Sequence, residues 1–287
     1  MNERRAAVLQ ELGIGPVWLR RTRPALEAAV AAVPVAHQEL PVAAAPPTPA
    51  RQTPAPPTPV PPPASAVSAW DAPAQPAVAL AVTPNHSDAE IAAMSWTQLQ
   101  DAVSNCTRCG LCRSRTRAVF GSGDAKAHWL FVGEGPGRAE DQQGTPFVGP
   151  AGKLLDNMLQ AMRQRRGENN FITNVVKCRP TDSDGKDRAP SPDESAACRP
   201  YLDRQIALLK PAIVVALGKV AALALLHADP KTPVGALRGV VHRYGNVPLV
   251  VTYHPAYLLR KPLDKSRSWR DLCLADAAFR DVGQLGI

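Results

Sequence analysis

No stretch of the 287-residue chain approaches the roughly 18 consecutive apolar residues that a membrane-spanning helix requires. The opening MNERRAAVLQELG also lacks the unbroken apolar region of a secretion signal, because Glu3, Gln10 and Glu11 interrupt it. These two absences argue against a membrane or secreted protein, and a cytoplasmic one is expected. In that reducing compartment the six cysteines read as metal ligands or plain thiols rather than disulfides. The phosphate-cradling pattern G-x-x-x-x-G-K-[ST] is missing as well. Large apolar residues are almost absent between Pro34 and Pro84, where half of the 30 prolines fall, and such a segment cannot bury enough surface to offset its ordering entropy.

Three parts follow: a short N-terminal helical segment at 1–32, a disordered, partly polyproline II Pro/Ala-rich linker at 33–86, and a folded body at 87–287. In the first part, RAAVLQEL places Val8, Leu9 and Leu12 on one helical face before Gly13 and Gly15 stop the pattern. One helix has no core of its own, so it either docks on a protein partner or frays in solvent. At about 200 residues the body buries a full core by itself. It holds 27 Lys and Arg against 20 Asp and Glu, most of the +8 of the whole chain, which suits an anionic partner such as nucleic acid.

Within the body, Ser95-Trp96-Thr97-Gln98 matches a capping box that opens a short helix. Four apolar runs read as buried strands: 128–133, 171–176, 212–217 and 247–253. Helical patterns alternate with them, at Leu154 to Met162, Tyr201 to Leu209, Val220 to Leu226 and Leu272 to Phe279. The alternation predicts an α/β fold whose parallel sheet is covered on both faces, with its site at the carboxyl ends of the strands.

Three of those ends carry a motif. The first strand runs into Gly133-Glu134-Gly135-Pro136-Gly137, where Arg138 replaces the third glycine of a dinucleotide fingerprint and Pro136 lacks an amide donor. Downstream, Phe147 is a lone aromatic in GTPFVGPAG, free to offer its face to a planar ligand or to fold back as a plug. Asn174 near the end of the second strand is either a satisfied core hydrogen bonder or a base reader, since an amide carries the donor and acceptor that a pyrimidine edge needs. His254 lies at the end of the fourth strand with an irregular segment predicted behind it, and only adjacency to Glu134 and Asn174 would separate a chemical role from a structural one. From Arg260 to Arg270 stand five basic residues and one acidic, and beside Tyr257 and Leu258 they resemble a phosphate-gripping rim around an apolar wedge.

Cys106, Cys109 and Cys112 begin a ferredoxin-like run that Thr116 leaves incomplete. Two further Cys-Arg-Pro patterns, at Cys178 and Cys198, flank the polar insertion TDSDGKDRAPSPDES. Four thiolates from Cys106, Cys109, Cys178 and Cys198 would close a site for zinc or for an iron-sulfur cluster, and spacing does not choose between them. Cys112 and Cys273 read as ordinary thiols.

Taken in order, CTRCGLC, VFGSGD, GEGPGRAED, GTPFVGPAGKLL, NVVKCRP, CRPYL, ALGKVA, LRG, YHPAYLLR and Trp269-Arg270-Asp271-Leu272 resemble the family 4 uracil-DNA glycosylases across nearly all of residues 100–275. The resemblance implies a three-layer α/β/α fold with a central four-stranded parallel sheet. It implies a 4Fe-4S cluster on Cys106, Cys109, Cys178 and Cys198. It also implies a uracil pocket in which Gly135 contacts the base, Phe147 stacks on it, Asn174 reads its edge and His254 sits by O2. Related families carry an Asp in the motif matching GEGPG, where this chain has Gly135, so Glu134 and Glu140 become the supporting carboxylates. Tyr257, Leu258 and Arg260 are the expected DNA contacts. The expected activity is excision of uracil from single- or double-stranded DNA by a monomer, leaving an abasic site. Two other readings stay open: a non-catalytic metal-stapled DNA-binding adaptor of a polymerase or repair complex, and an enzyme excising a different base.

Overall fold

The computed structural model describes residues 85–284, with side chains placed through residue 282. The helix expected at 5–12 and nearly all of the linker lie outside the described residues. The body starts slightly earlier than the composition suggests: the Asn85 carboxamide oxygen accepts from the Thr107 amide at 3.0 Å and from its hydroxyl at 2.8 Å.

Two short helices, α1 (Asp88–Ala93) and α2 (Trp96–Ser104), each begin with a reciprocal capping box, Ser87 with Glu90 and Ser95 with Gln98. The strands are β1 (Ser122–Gly123), β2 (Trp129–Gly133), β3 (Asn170–Asn174), β4 (Ile213–Leu217), β5 (Val241–Tyr244) and β6 (Val247–Thr252). They form one sheet in the order β1-β3-β2-β4-β6-β5. The four inner strands are parallel and are the four predicted from the apolar runs. Both edge strands are antiparallel additions to the expected four. Neither had a readable pattern: β1 has two residues, and β5 is half exposed along its length.

Every residue of β2, β3 and β4 is buried, which is why these strands read as continuous runs rather than alternating ones. The alternation is instead between two cores. Leu130, Val132, Val214 and Ala216 face α1, α2, α5 (Pro192–Leu209) and α6 (Lys219–Leu226), whereas Trp129, Phe131, Ile213 and Val215 face α4 (Pro150–Ala161), α8 (Pro255–Arg260) and α9 (Lys265–Gln284). Each fully buried side chain of this size contributes about 1.5–3 kcal/mol. The remaining described elements are two short helices, α3 (Arg138–Gln143) after β2 and α7 (Val234–Leu237) before β5, and two 3-10 turns at Gly110–Arg113 and Pro262–Asp264. The result is the three-layer α/β/α arrangement, with the carboxyl ends of β2, β3, β4 and β6 along one edge.

Helix α5 begins at Pro192, well before the apolar pattern at Tyr201, because Ser191 and Glu194 form a third capping box. The end of the polar insertion is therefore the start of a helix.

Candidate active site and cysteine centre

A cleft of about 620 Å³ opens at the carboxyl ends of the parallel strands, lined by Glu134, Gly135, Glu140, Phe147, Asn174, His254, Tyr257 and Arg260 among others. That volume suits a small-molecule or nucleobase site. Leu258 is not in the lining, and of the basic residues from Arg260 to Arg270 only Arg260 is.

Asn174 ends β3 directly beside Gly133 of β2. The residue is 2 % exposed, and its carboxamide oxygen has no hydrogen-bond partner among the described residues. An orphaned buried acceptor is costly, and one in a cleft wall is a place for a ligand's N–H. Gly133 makes room for it: a methyl group there would come within 2.4 Å of the Asn174 oxygen and 2.6 Å of the Phe147 ring. Phe147 is itself buried, with its ring centroid 5.6 Å from that of His254 and tilted by 31°.

His254 caps the N-terminus of α8, its Nδ1 accepting from the Ala256 amide at 3.2 Å, so the segment behind it is helical rather than irregular. With Nδ1 accepting, the proton of the neutral ring sits on Nε2. Burial, reinforced by the charge of Arg260 and opposed by that of Glu140, pushes the imidazole down to about 4, so it is neutral at pH 7. Gly218 follows β4 with φ of 94°, and a Cβ there would lie 2.8 Å from that of His254. Glycine is required at this position both by the backbone angle and by the close approach.

The two candidate carboxylates differ. Glu140 Oε1 accepts from the amides of Val148 at 3.0 Å and Gly149 at 3.1 Å, tying α3 to the start of α4. Through Oε1 it holds the Phe147 loop in place, a structural role that the reading of Glu140 as a supporting carboxylate did not include, while the residue still lines the cleft. Glu134 has no hydrogen bond or ion pair from its side chain among the described residues, and burial raises its pKa above the ordinary carboxylate value.

Leu258 is a correction. It is 1 % exposed and packs in the core between α8 and the sheet, so it is not available to DNA. The exposed apolar side chains nearby are Leu259, at 44 %, and Leu263, at 92 %. Tyr257 stacks on Tyr253 at 4.8 Å and donates to Asp264 at 2.7 Å. Tyr253 in turn lies 4.0 Å beneath the Arg238 guanidinium, which is paired with the buried Asp271. Part of the wall comes from Pro180 and from the polar insertion, through Asp187, Arg188 and Ala189, a contribution the sequence did not disclose. Arg188 is held by Glu194, and Arg179 by Asp187.

Cys106, Cys109, Cys178 and Cys198 line one cavity with Arg115, Lys177 and Tyr201, and Cys112 lines it too. Cys273 lies elsewhere, exposed on α9. Donors already face the sulfurs: Arg115 Nη1 on Cys178 at 3.1 Å, the Lys177 amide on Cys198 at 3.3 Å and the Arg108 amide on Cys106 at 3.5 Å. Burial pushes the Cys178 thiol up to about 11 and the Cys198 thiol up to about 12, opposed by Arg115 and Lys177 respectively. A bound metal would supply the positive charge that lets such thiols ionise, so the donor set fits a thiolate-ligated metal group. Between the two sites sits the buried Lys177, whose ammonium donates to Thr173 Oγ1 and the Asn174 carbonyl, both at 2.7 Å, and to Gln205 Oε1 at 2.6 Å.

A fold built on a parallel four-stranded core, with a cleft roomy enough for a nucleobase, an unpaired amide oxygen and a neutral histidine, finds its class in the comparison with known families. Residues 120–278 match the model of the uracil DNA glycosylase superfamily. The type-4 uracil-DNA glycosylase of Pyrobaculum aerophilum is 41 % identical over 187 residues, covering 63 % of this chain and 93 % of that protein. Those of Archaeoglobus fulgidus and Thermotoga maritima are 41 % and 40 % identical over 189 and 179 residues, covering 64 % and 62 % of this chain and 89 % and 88 % of theirs. The chain belongs to the type-4 uracil-DNA glycosylase family.

Proposed function

We propose that the protein is a DNA-repair glycosylase that draws uracil out of DNA into the cleft at the strand ends and hydrolyses its N-glycosidic bond, leaving an abasic site. The observation that carries this reading is the Asn174 oxygen, buried and unpartnered in a cleft shared with Phe147 and a neutral His254. Extrusion is needed because the bond is inaccessible inside the stack. Phe147 offers a face for the base, and Gly135 lets the backbone approach it. Asn174 accepts from N3–H and donates to O4. As the bond breaks, negative charge gathers on the base, and the Nε2–H of His254 stabilises it at O2 as a preorganised neutral donor. Glu134, the uncommitted carboxylate, orients the attacking water. Tyr257 and Arg260 form the rim on which the DNA backbone rests.

The thiols of Cys106, Cys109, Cys178 and Cys198 hold a 4Fe-4S cluster in this reading. Among the described residues, no three His, Cys, Asp or Glu side chains are grouped closely enough to hold one metal ion, and the support for the cluster is that the four cysteines line one cavity. When bound, the cluster supplies a covalent staple between the segment at 106–109 and the two at 178 and 198. Residues 87–287 form the catalytic body, and the N-terminal segment 1–32 docks on a protein partner. No helix among the described residues is long and apolar enough to cross a membrane. The enzyme works in the cytoplasm as a monomer.

The test is anaerobic purification, a visible spectrum, and incubation with single-stranded and duplex oligonucleotides carrying one uracil, followed by hot alkali. A brown protein that yields alkali-labile strands only at uracil supports both cofactor and reaction. A colourless zinc protein that binds DNA without making abasic sites points instead to the non-catalytic adaptor.

A further inference from the structure

Phe147 has φ of 56°, in the left-handed region that bulky side chains rarely adopt. A residue persists there only where its surroundings over-determine it. Glu140 holds the amides that follow Phe147, and one further side chain holds the carbonyls of the turn itself. Arg166 Nη1 donates to the Pro146 carbonyl and Nη2 to the Phe147 carbonyl, both at 3.0 Å, while Nε donates to Asp156 of α4 at 2.7 Å. The guanidinium therefore grips two consecutive carbonyls and is itself aimed by a carboxylate. Helix α4 closes against the same carbonyl: a Cβ on Gly152 would fall 1.7 Å from the Phe147 oxygen. Arg166 lies in the turn between α4 and β3 and is not in the cleft lining, so it does not touch a base held there.

We infer that Arg166, oriented by Asp156, is a positioning residue that fixes the backbone of Phe147 and thereby the plane on which the extruded uracil stacks. This rests on the proposed role of Phe147 as the stacking ring. Only a planar fork serves: a lysine has one nitrogen, which cannot reach both carbonyls and the carboxylate in this arrangement. Without the grip, the two carbonyls lose their donors and the loop is free to leave the left-handed conformation.

The test is a double-mutant cycle between positions 166 and 147, read as single-turnover uracil excision well below the melting temperature, with cluster absorbance and binding to abasic-site DNA followed alongside. Arg166→Ala is expected to slow excision about 10- to 100-fold, the scale of loss for a displaced positioning group. Arg166→Lys should lose nearly as much. In the Phe147→Ala background Arg166→Ala should add less than about twofold, because the ring it positions is gone. A double mutant whose loss is the product of the two single losses would overturn the proposal. So would a wild-type rate for Arg166→Ala beside a slow Phe147→Ala. Should Arg166→Ala fail to fold, Asp156→Asn provides the same cycle, with a smaller loss that again vanishes when Phe147 is absent. A Phe147→Ala enzyme as fast as wild type would remove the stacking reading itself, and the clamp with it.

Discussion

Replacing His254 by alanine removes the Nε2–H donor from the cleft and also the Nδ1 cap of α8, the helix that carries Tyr257 and Arg260. Loss of one such donor costs about 10²–10³ in rate, or roughly 2.7–4 kcal/mol of transition-state stabilisation. The donor here is a neutral ring, and this sets the pH behaviour. Its pKa in the fold is about 4 against an ordinary 6.5. The folded state therefore binds the proton less readily than the unfolded chain. The stability tied to the neutral ring is complete above about 6.5 and is lost as pH falls towards 4, on the order of 3 kcal/mol in total. Single-turnover excision from a uracil-containing oligonucleotide, measured from pH 4 to 8, should show no inflection near 6.5 that belongs to His254. His254→Ala should be slower by the stated factor across the plateau, with abasic-site binding within about twofold of wild type, and less prone to acid unfolding. An inflection near 6.5 that disappears in the variant would refute the neutral-donor argument, and equal rates would refute any electrostatic role.

Other substitutions separate packing from contact. Leu258→Ala should destabilise the fold by about 2–5 kcal/mol in denaturant unfolding, as expected of a buried leucine. Leu263→Ala should leave stability within about 0.5 kcal/mol and instead slow excision from duplex more than from single-stranded DNA, because this exposed leucine beside the basic segment is placed to enter a duplex. Cys178→Ser should lose iron, visible absorbance and thermal stability together, while a stable, coloured variant would take Cys178 out of the ligand set. Gly218→Ala should lower both stability and excision rate, since the new methyl group meets the β-carbon of His254 at a backbone angle that suits only glycine.

The inner sheet was legible because its strands are buried on both faces and flanked by turn residues, so each read as a short apolar run. β5 was not, since a half-exposed edge strand such as Val241–Tyr244 carries no such run. The residues at three of the four parallel strand ends were legible by topology, as these strands deliver Glu134, Asn174 and His254 to the same edge. Leu258 was misread because Tyr257-Leu258-Leu259-Arg260 was taken as irregular. Once His254 and Pro255 start a helix, Leu258 falls on its inner face, four residues on from the cap, and Leu259 on its outer one. Proline at the first helical position was the available signal. The role of Glu140 had no sequence signal, because its amide partners stand eight and nine residues away across a loop. Nor did the Asp187–Ala189 wall, which is placed by pairings within a polar insertion whose composition resembles any exposed loop.

The account turns on the unpaired Asn174 oxygen meeting the N3–H of uracil, and free-base release measured by mass spectrometry tests it most directly. Matched oligonucleotides would carry either uracil or N3-methyluracil at the same position. Release of uracil from the first, with release from the second slower by at least about 100-fold, is the predicted result. Release of neither base, or of both at equal rates, would contradict it.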